Sequence, residues 1–280
     1  TPPVLVPPPL PPPVTGTRGM DPSPDNLRRL LGLVDQCLDG RPEVRKPAEA
    51  KIVQVQTTPG FTTCLMALVM KTELKMEQRQ FSGILLKNTV SKFWQPRGSK
   101  SLHDKDKQNL KNALLSPGLF SEPNDLVHRQ ITATAAKVAR FDWPRKWESL
   151  FPTMIKAIQT GSELQKGRAL DQMLQILREL VSRRLFTFRK TFQAASMPIL
   201  NFIQPQWMKT TQAMLEALKT QRKEAGVLAK KALQLLRCLK ELVCYGIAKL
   251  DNSSNAAALF PAFLEVSNVL LKGSREMPES

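Results

Sequence analysis

The amino-acid sequence predicts an all-α protein, an α-solenoid of about five stacked helix hairpins that follows a disordered, proline-rich tail. Apolar residues recur at helical spacing through most of residues 25–280, and no segment shows the strict alternation typical of a half-buried strand. Outside the tail the chain is poor in Gly and Pro and rich in Leu, Ala, Lys and Gln, a composition that favours helix.

Residues 1–24 form the predicted tail. Ten of the 22 prolines of the chain fall in this segment, and such a composition favours disorder or polyproline helix over a packed core. A segment of this kind can also serve as an SH3-type ligand. We therefore divide the chain into a tail, 1–24, and a helical array, 25–280.

The first part of the array contains several turn signals between apolar stripes. Thr58–Gly60 has the composition of a turn. Ser101-Leu-His-Asp104 has the pattern of a capping box that opens a short helix, and Pro117 ends that helix. The expected helices are, in order, 27–38, one from Pro47 through Val55, 61–69, 77–93 and a short one around Leu110.

The clearest repeat unit lies in the middle of the chain. Pro123 is expected to open a helix, Asp142-Trp-Pro144 to break it, and Pro144 to open the next one, because the first turn of a helix does not need the missing N–H of proline. Neither helix can bury its apolar stripe alone, so the two are expected to pack together. The two stripes are Val127, Ile131, Ala135 and Val138, then Trp147, Leu150, Phe151, Met154, Ile155 and Ile158.

The later helices repeat this pattern. Ser162–Gln165 is a second capping box, and Ile131 and Leu235 are expected in the core that stacked hairpins share. Hairpins of roughly 40–60 residues fit HEAT or armadillo repeats better than ankyrin or tetratricopeptide repeats, and a closed helical bundle is the weaker alternative. The remaining expected helices are a long one that this box opens and that carries apolar residues from Leu170 to Val181, then 188–208 with a kink near Pro198, 224–245 and 255–272.

Two apolar segments, the last helix and the run Phe61–Met70, bear on the kind of protein to which the chain belongs. An apolar last helix without a polar cap is expected of a fragment of a longer array. The run Phe61–Met70 is too short to span a bilayer, so membrane insertion is not expected.

Composition argues against an enzyme. The sequence has no P-loop, no Gly-rich dinucleotide turn and only two histidines, so no catalytic residues, metal ligands or cofactors are expected. The four cysteines fall in apolar helical patterns and are expected to be buried free thiols. The net charge of +17 is compatible with nucleic acid, an anionic membrane surface or an acidic protein as partner.

Basic clusters at 183–184, 189–190, 222–223 and 230–231 raise the question of nucleic-acid binding. Single-strand binders interleave aromatic platforms with their cations, whereas most aromatic residues here fall at stripe positions and are expected in the core. Trp94 can either cap the core at a helix end or be exposed.

Several motifs follow one another along the first half of the chain. Together they resemble the N-terminal region of nuclear transport receptors of the importin-β superfamily, the karyopherins, and the resemblance covers about residues 27–250. The motifs are Lys46-Pro-Ala-Glu49, Thr58-Pro-Gly-Phe61, Leu86-Lys-Asn88 with Phe93-Trp94, and Ala136-Lys-Val-Ala-Arg140 followed by Asp142, Pro144, Trp147 and Pro152.

The resemblance implies tandem HEAT repeats, binding of the small GTPase Ran in its GTP form, and transport of a protein cargo through nuclear pores. It thereby implies contact with nucleoporins and shuttling between nucleus and cytoplasm. The chain departs from the family in one respect, because such receptors are usually acidic and this one is strongly basic. A basic helical-repeat scaffold that binds RNA or ribosomal precursors is the alternative.

The resemblance also implies a place for Ran, on the face lined by the second helix of each hairpin. Taking the helices after Ser101 and Pro144 as two such helices, the stripes leave a set of polar residues pointing away from the core, with Lys111 on the flank. The predicted Ran-binding residues are Lys105, Gln108, Lys111, Asn112, Arg145, Lys146, Ser149 and Lys156.

Overall fold

The computed structural model describes residues 19–95, 100–220, 222–247 and 254–275, and these form an all-helical array. The predicted tail lies outside the described residues up to residue 18. No helix in the described ranges combines the length and apolar character needed to cross a bilayer. The helices are α1 Pro24–Cys37, α2 Pro42–Val55, α3 Phe61–Met70, α4 Met76–Phe93, α5 Asp104–Leu114, α6 Pro117–Phe120, α7 Asp125–Asp142, α8 Leu150–Thr160, α9 Glu163–Val181, α10 Phe186–Thr220, α11 Arg222–Gly246 and α12 Ser254–Arg275.

The helices pair into five hairpins, which confirms the predicted solenoid. The pairs are α1 with α2, α3 with α4, α5 with α7, α8 with α9, and α10 with α11, and α12 follows against α10. Successive second helices pack side by side in one layer, α4 on α7, α7 on α9 and α9 on α11. The first helices α1, α3 and α5 form the other layer in the same manner. Each hairpin therefore contacts mainly its neighbours along the chain.

A single continuous core lies between the two layers. The predicted stripe of α7 is buried throughout, and Ile131 and Leu235 are each 1% exposed, as expected for residues shared between hairpins. In the stripe of α8 only Ile155 is half-buried, and its other members are fully buried. The helical periodicity of the sequence was therefore in the correct phase.

The residues just before α1 are packed against the second hairpin, so the predicted boundary of the tail at residue 24 is too late. The backbone N–H of Met20 donates to the carbonyl oxygen of Pro59 at 2.7 Å, and the Cys64 thiol donates to the carbonyl oxygen of Asp21. Gly60 has a φ of 89°, and a Cβ built on it would meet the Met20 carbonyl. Gly60 therefore permits both the turn and this close approach.

Two helices begin at residues other than those predicted. Helix α2 starts at Pro42 and passes through Pro47, because Pro42 already takes the first-turn position and the missing N–H of Pro47 costs only one bond in the second turn. Helix α5 is capped by His103, whose ring accepts from the N–H of Lys105, so the capping box predicted from Ser101 is wrong. The N–H of Leu102, a buried residue, donates to the carbonyl of Phe93 and keeps this segment out of the helix.

The second helix of the central unit starts six residues later than predicted. Residues 143–149 form a loop of turns, and α8 begins at Leu150 instead of Pro144. Trp143 and Trp147 are both buried from this loop, and the Trp143 ring packs edge-on against Phe151 at 5.3 Å between centroids. Two indoles anchored in the core from one short segment hold it as a loop.

The remaining differences are smaller. Pro117 opens the short helix α6 after α5 has ended, and α10 continues through Pro198 and Pro205 to Thr220. The second capping box, at Ser162, is confirmed. Three of the four cysteines are buried as expected, whereas Cys244 is exposed because it lies on the outer side of α11.

Candidate functional site

A groove opens where the end of α4, the helix α5 and the end of α7 meet, and it has a volume of about 520 Å3. Three of the predicted Ran-binding residues reach it. Its wall combines both charges with two aromatic rings, so it is a polar groove without the apolar lining of a small-molecule pocket. The lining residues are Trp94, Gln95, Asp104, Lys107, Gln108, Lys111, Phe141, Asp142 and Lys146.

The floor of this groove is a buried polar cluster around Asp142. One carboxylate oxygen of Asp142 accepts from the indole N–H of Trp94 at 2.9 Å, and the other lies 3.3 Å from the Lys111 ammonium. Lys111 also donates to the carbonyl oxygen of Lys146 at 2.7 Å. The cluster ties the ends of α4 and α7 to α5 and to the loop before α8. Trp94 is therefore a buried cap of the core.

Lys111 is consequently not the flanking surface residue that was predicted. Its side chain is 10% exposed and is held by Asp142 and by the carbonyl of Lys146. Helical phasing alone placed it at the edge of the stripe, and the position of the neighbouring loop determines that this edge is covered. A buried ammonium that is paired and hydrogen-bonded supports the fold, and it is not available to a partner.

The other seven predicted residues are exposed. Three of them, Arg145, Lys146 and Ser149, lie in the loop between α7 and α8 and not on a helix. The amide groups of Gln108 and Asn112 are hydrogen-bonded to each other along α5. The structure therefore does not assemble the eight residues into one helical face. The four on helices α5 and α8 are Lys105, Gln108, Asn112 and Lys156.

The layer on which these residues lie also differs from the prediction. Helices α5 and α8 are the first helices of their hairpins, and their partners α7 and α9 are the second. Both helices were predicted to be second helices, because helix boundaries alone do not show which neighbour a helix pairs with. The predicted residues on α5 and α8 thus belong to the layer opposite the one that the resemblance implies for Ran.

Second helices carry exposed cations that the sequence analysis did not select. Lys92 near the end of α4 and Arg129 in the first half of α7 are both exposed, and no ion pair in the described ranges involves either of them. The pairing of hairpins would have identified these positions, since α4 and α7 follow α3 and α5 directly once the short α6 is set aside.

Polar links connect the second helices to one another. Glu179 of α9 accepts from Lys137 at 2.9 Å and from Arg140 at 3.2 Å, both on α7. Lys231 of α11 lies 3.2 Å from Glu163 of α9. These links run along one layer and fix the register of neighbouring hairpins.

The described residues contain no cluster of metal-ligating side chains, and the one histidine of α7 is buried. No three His, Cys, Asp or Glu side chains converge there as they would around a metal ion. His128 is buried within α7 and its Nε2 lies 3.1 Å from the hydroxyl of Thr132. Burial, with Arg168 nearby, lowers the pKa of His128 to about 4, so its ring is neutral at physiological pH.

Comparison with known proteins finds similarity to one group of proteins. Residues 48–116 match the importin-β N-terminal domain family. Importin-11 of mouse and of human are each 27% identical to this chain over 250 residues, which cover 89% of this chain and 25% of each relative. Exportin-2 of Drosophila melanogaster is 23% identical over 211 residues, 72% of this chain and 21% of that protein.

Solved structures agree on the fold. Lph2, described as a bidirectional nuclear transport receptor of S. cerevisiae, matches with a TM-score of 0.74 at 18% identity, over 89% of this chain and 24% of Lph2. The exportin Cse1 in its cargo-free state matches with a TM-score of 0.65 at 18% identity, over 86% of this chain and 25% of Cse1. The resemblance to the N-terminal region of importin-β superfamily receptors is therefore confirmed. The chain spans about a quarter of the length of its Importin-11 relatives.

Proposed function

We propose that this chain acts as the N-terminal region of a nuclear transport receptor, which binds Ran in its GTP form and carries protein cargo through the nuclear pore. The observation that supports this most directly is the importin-β N-terminal domain match at the start of an array of paired helices. Nucleoporin contact and shuttling between nucleus and cytoplasm belong to the same proposal. Solenoids act through extended surfaces, which agrees with a function in carrying proteins.

Within this proposal, Ran binds the layer of second helices. The resemblance implies that layer, and Lys92 and Arg129 are exposed cations on it without an ion pair in the described ranges. Their charge suits the carboxylate and carbonyl groups of a GTPase surface. Lys105 and Arg145, from the residues first predicted, are equally exposed on the other layer. They provide a matched comparison, because the same charge change can be made on either layer.

The test measures binding of Ran loaded with a non-hydrolysable GTP analogue or with GDP. Lys92→Glu with Arg129→Glu should weaken binding of the GTP form by at least tenfold, since charge-assisted hydrogen bonds contribute about 1.5–3 kcal/mol each. Lys105→Glu with Arg145→Glu should change it by less than twofold. Lys111 is left unchanged, because breaking its buried pair would unfold the region locally. Circular dichroism checks that both variants remain helical.

Each other outcome has a definite meaning. A loss confined to the Lys105 and Arg145 variant would assign Ran to the residues first predicted, outside the layer of second helices. Equal affinity for the GTP and GDP forms in the unmodified chain would refute the proposed function itself, because a receptor of this kind must distinguish them.

A further inference from the structure

The junction between α9 and α10 combines exposed aromatic and basic side chains. The segment Ser182–Lys190 reads S-R-R-L-F-T-F-R-K, and it contains four cations and no acid. Phe186 is 69% exposed and Leu185 is 66% exposed, so two large apolar side chains stand next to each other in solvent. Arg184, Arg189 and Lys190 are exposed beside them.

The positive charge at this junction is not neutralised by the rest of the described chain. No ion pair there involves Arg184, Arg189 or Lys190. The acid nearest in sequence, Glu179, is already held by Lys137 and Arg140 of α7. The rest of helix α10 adds two lysines and only one acid, Glu216, so the net charge around the junction remains positive.

Arg183 has a different role from its neighbours. Its guanidinium donates to the carbonyl oxygen of Arg140 and lies over the ring of Phe188. Burial, with the charge of Arg140 nearby, lowers the pKa of Arg183 to about 10. Arg183 therefore fixes the segment to α7, and this anchoring leaves the following residues presented at the surface.

Phe186 is arranged as an open stacking platform. The ammonium of Lys190 lies 4.7 Å from the centroid of its ring, and the large exposed fraction leaves the opposite ring face to solvent. A base can stack on that face while the flanking cations contact phosphates, which is how non-specific single-strand binders use aromatic residues. The sequence predicts that most aromatic residues lie in the core and makes no assignment for Phe186.

We propose that the surface formed by Arg184, Leu185, Phe186, Arg189 and Lys190, here called the junction patch, binds single-stranded nucleic acid. An acidic peptide would satisfy the cations, but it would make no specific use of the flat, open ring. The overall charge of +17 raises the local concentration of any polyanion and so favours the encounter. This proposal is independent of the Ran proposal, because the two depend on different residues.

The experiment measures binding of a fluorescein-labelled oligouridylate of about ten nucleotides, a length within the site sizes of known single-strand binders, by anisotropy over a range of salt. Arg184→Glu with Lys190→Glu should weaken binding at least tenfold and reduce the salt slope by about 1.4, since each phosphate contact to a single strand contributes about 0.7. Phe186→Ala should weaken binding about tenfold, because it removes the stacking platform. Phe186 is exposed, so this variant should keep its circular dichroism and melting temperature.

The matched control reverses two equally exposed cations of the first hairpin, Arg29→Glu with Lys51→Glu, which changes the net charge by the same amount. It should alter the affinity by less than twofold. Equal losses in the two double variants would assign the binding to net charge and overturn the proposal. An unchanged affinity in Phe186→Ala, together with tighter binding of polyglutamate of matched charge, would overturn it in favour of an acidic protein partner.

Discussion

The ion pair between Arg79 and Glu122 provides a direct test of how the hairpins are held together. The two side chains are 6% and 4% exposed. Arg79 also donates from Nε to the carbonyl oxygen of Val69 at 2.9 Å, and Glu122 accepts from the backbone N–H of Asn124 at 2.9 Å. The backbone carbonyl of Glu122 accepts from Arg168 at 2.9 Å. The pair thus joins the second hairpin to the segment before α7 and, through that segment, to α9.

Removing either Arg79 or Glu122 alone should lower the free energy of unfolding more than replacing both residues together. Glu122→Ala leaves the Arg79 guanidinium buried with a single acceptor, and an uncompensated buried charge typically costs about 3–5 kcal/mol. Replacing the pair by apolar residues, Arg79→Met with Glu122→Leu, leaves the carbonyl of Val69 without its donor and the backbone N–H of Asn124 without its acceptor. Each loss is worth about 1–2 kcal/mol, and the loss at Asn124 is already part of the cost of removing Glu122 alone.

Urea unfolding followed by circular dichroism measures these differences. A cycle made of the unmodified chain, Arg79→Met, Glu122→Leu and the variant with both changes should give a coupling energy of at least about 2 kcal/mol. The exposed pair of Arg28 and Asp25 serves as the control, and its removal should change the free energy of unfolding by less than about 1 kcal/mol. A cost below about 1 kcal/mol for Glu122→Ala would show that the Arg79 charge is solvated, and the argument from burial would be wrong.

The remaining predictions concern the core and the start of the chain. Ile131→Ala and Leu235→Ala should each cost about 2–5 kcal/mol in urea unfolding, because both side chains are buried between hairpins. Leu126→Ala, at an exposed position of α7, should cost less than about 0.5 kcal/mol, and equal losses at all three sites would contradict the observed burial. Deleting residues 1–18 should leave the melting temperature nearly unchanged. Deleting residues 1–23 should lower the melting temperature, because that deletion removes the contacts with the turn before α3. Identical melting temperatures for the two deletions would mean that those contacts do not stabilise the fold.

The apolar periodicity of the sequence was sufficient to predict most of the helices and an array of about five hairpins, although not which helices pair. It predicted that Ile131 and Leu235 are buried, because a stripe on a helix must face a neighbour whatever that neighbour is. The same reasoning failed for Pro144, since a proline after a helix is compatible with a new helix or with a loop. The two buried indoles of Trp143 and Trp147 decide between them, and one ring that packs on Trp143, that of Phe192, lies far along the chain.

The candidate site was harder to predict for a related reason. Whether Lys111 is exposed depends on the loop that covers it and on Asp142, more than thirty residues further along the chain. The layer to which α5 belongs depends on hairpin pairing, which residue spacing does not encode. The exposure of Phe186 also could not be predicted from spacing, because it depends on the contact that Arg183 makes with the carbonyl oxygen of Arg140, more than forty residues earlier in the chain.

The links between second helices have a mechanical consequence. The side chains of Lys137 and Arg140, which hold Glu179, are 38% and 34% exposed, so dissolved ions screen them, while the apolar core between the layers is insensitive to salt. The array therefore combines a stiff apolar core with a row of ion pairs along one layer whose strength can be changed. Raising the ionic strength weakens these ion pairs and lets neighbouring hairpins move relative to one another. A partner that brings its own charged groups to this layer can break the same ion pairs one at a time.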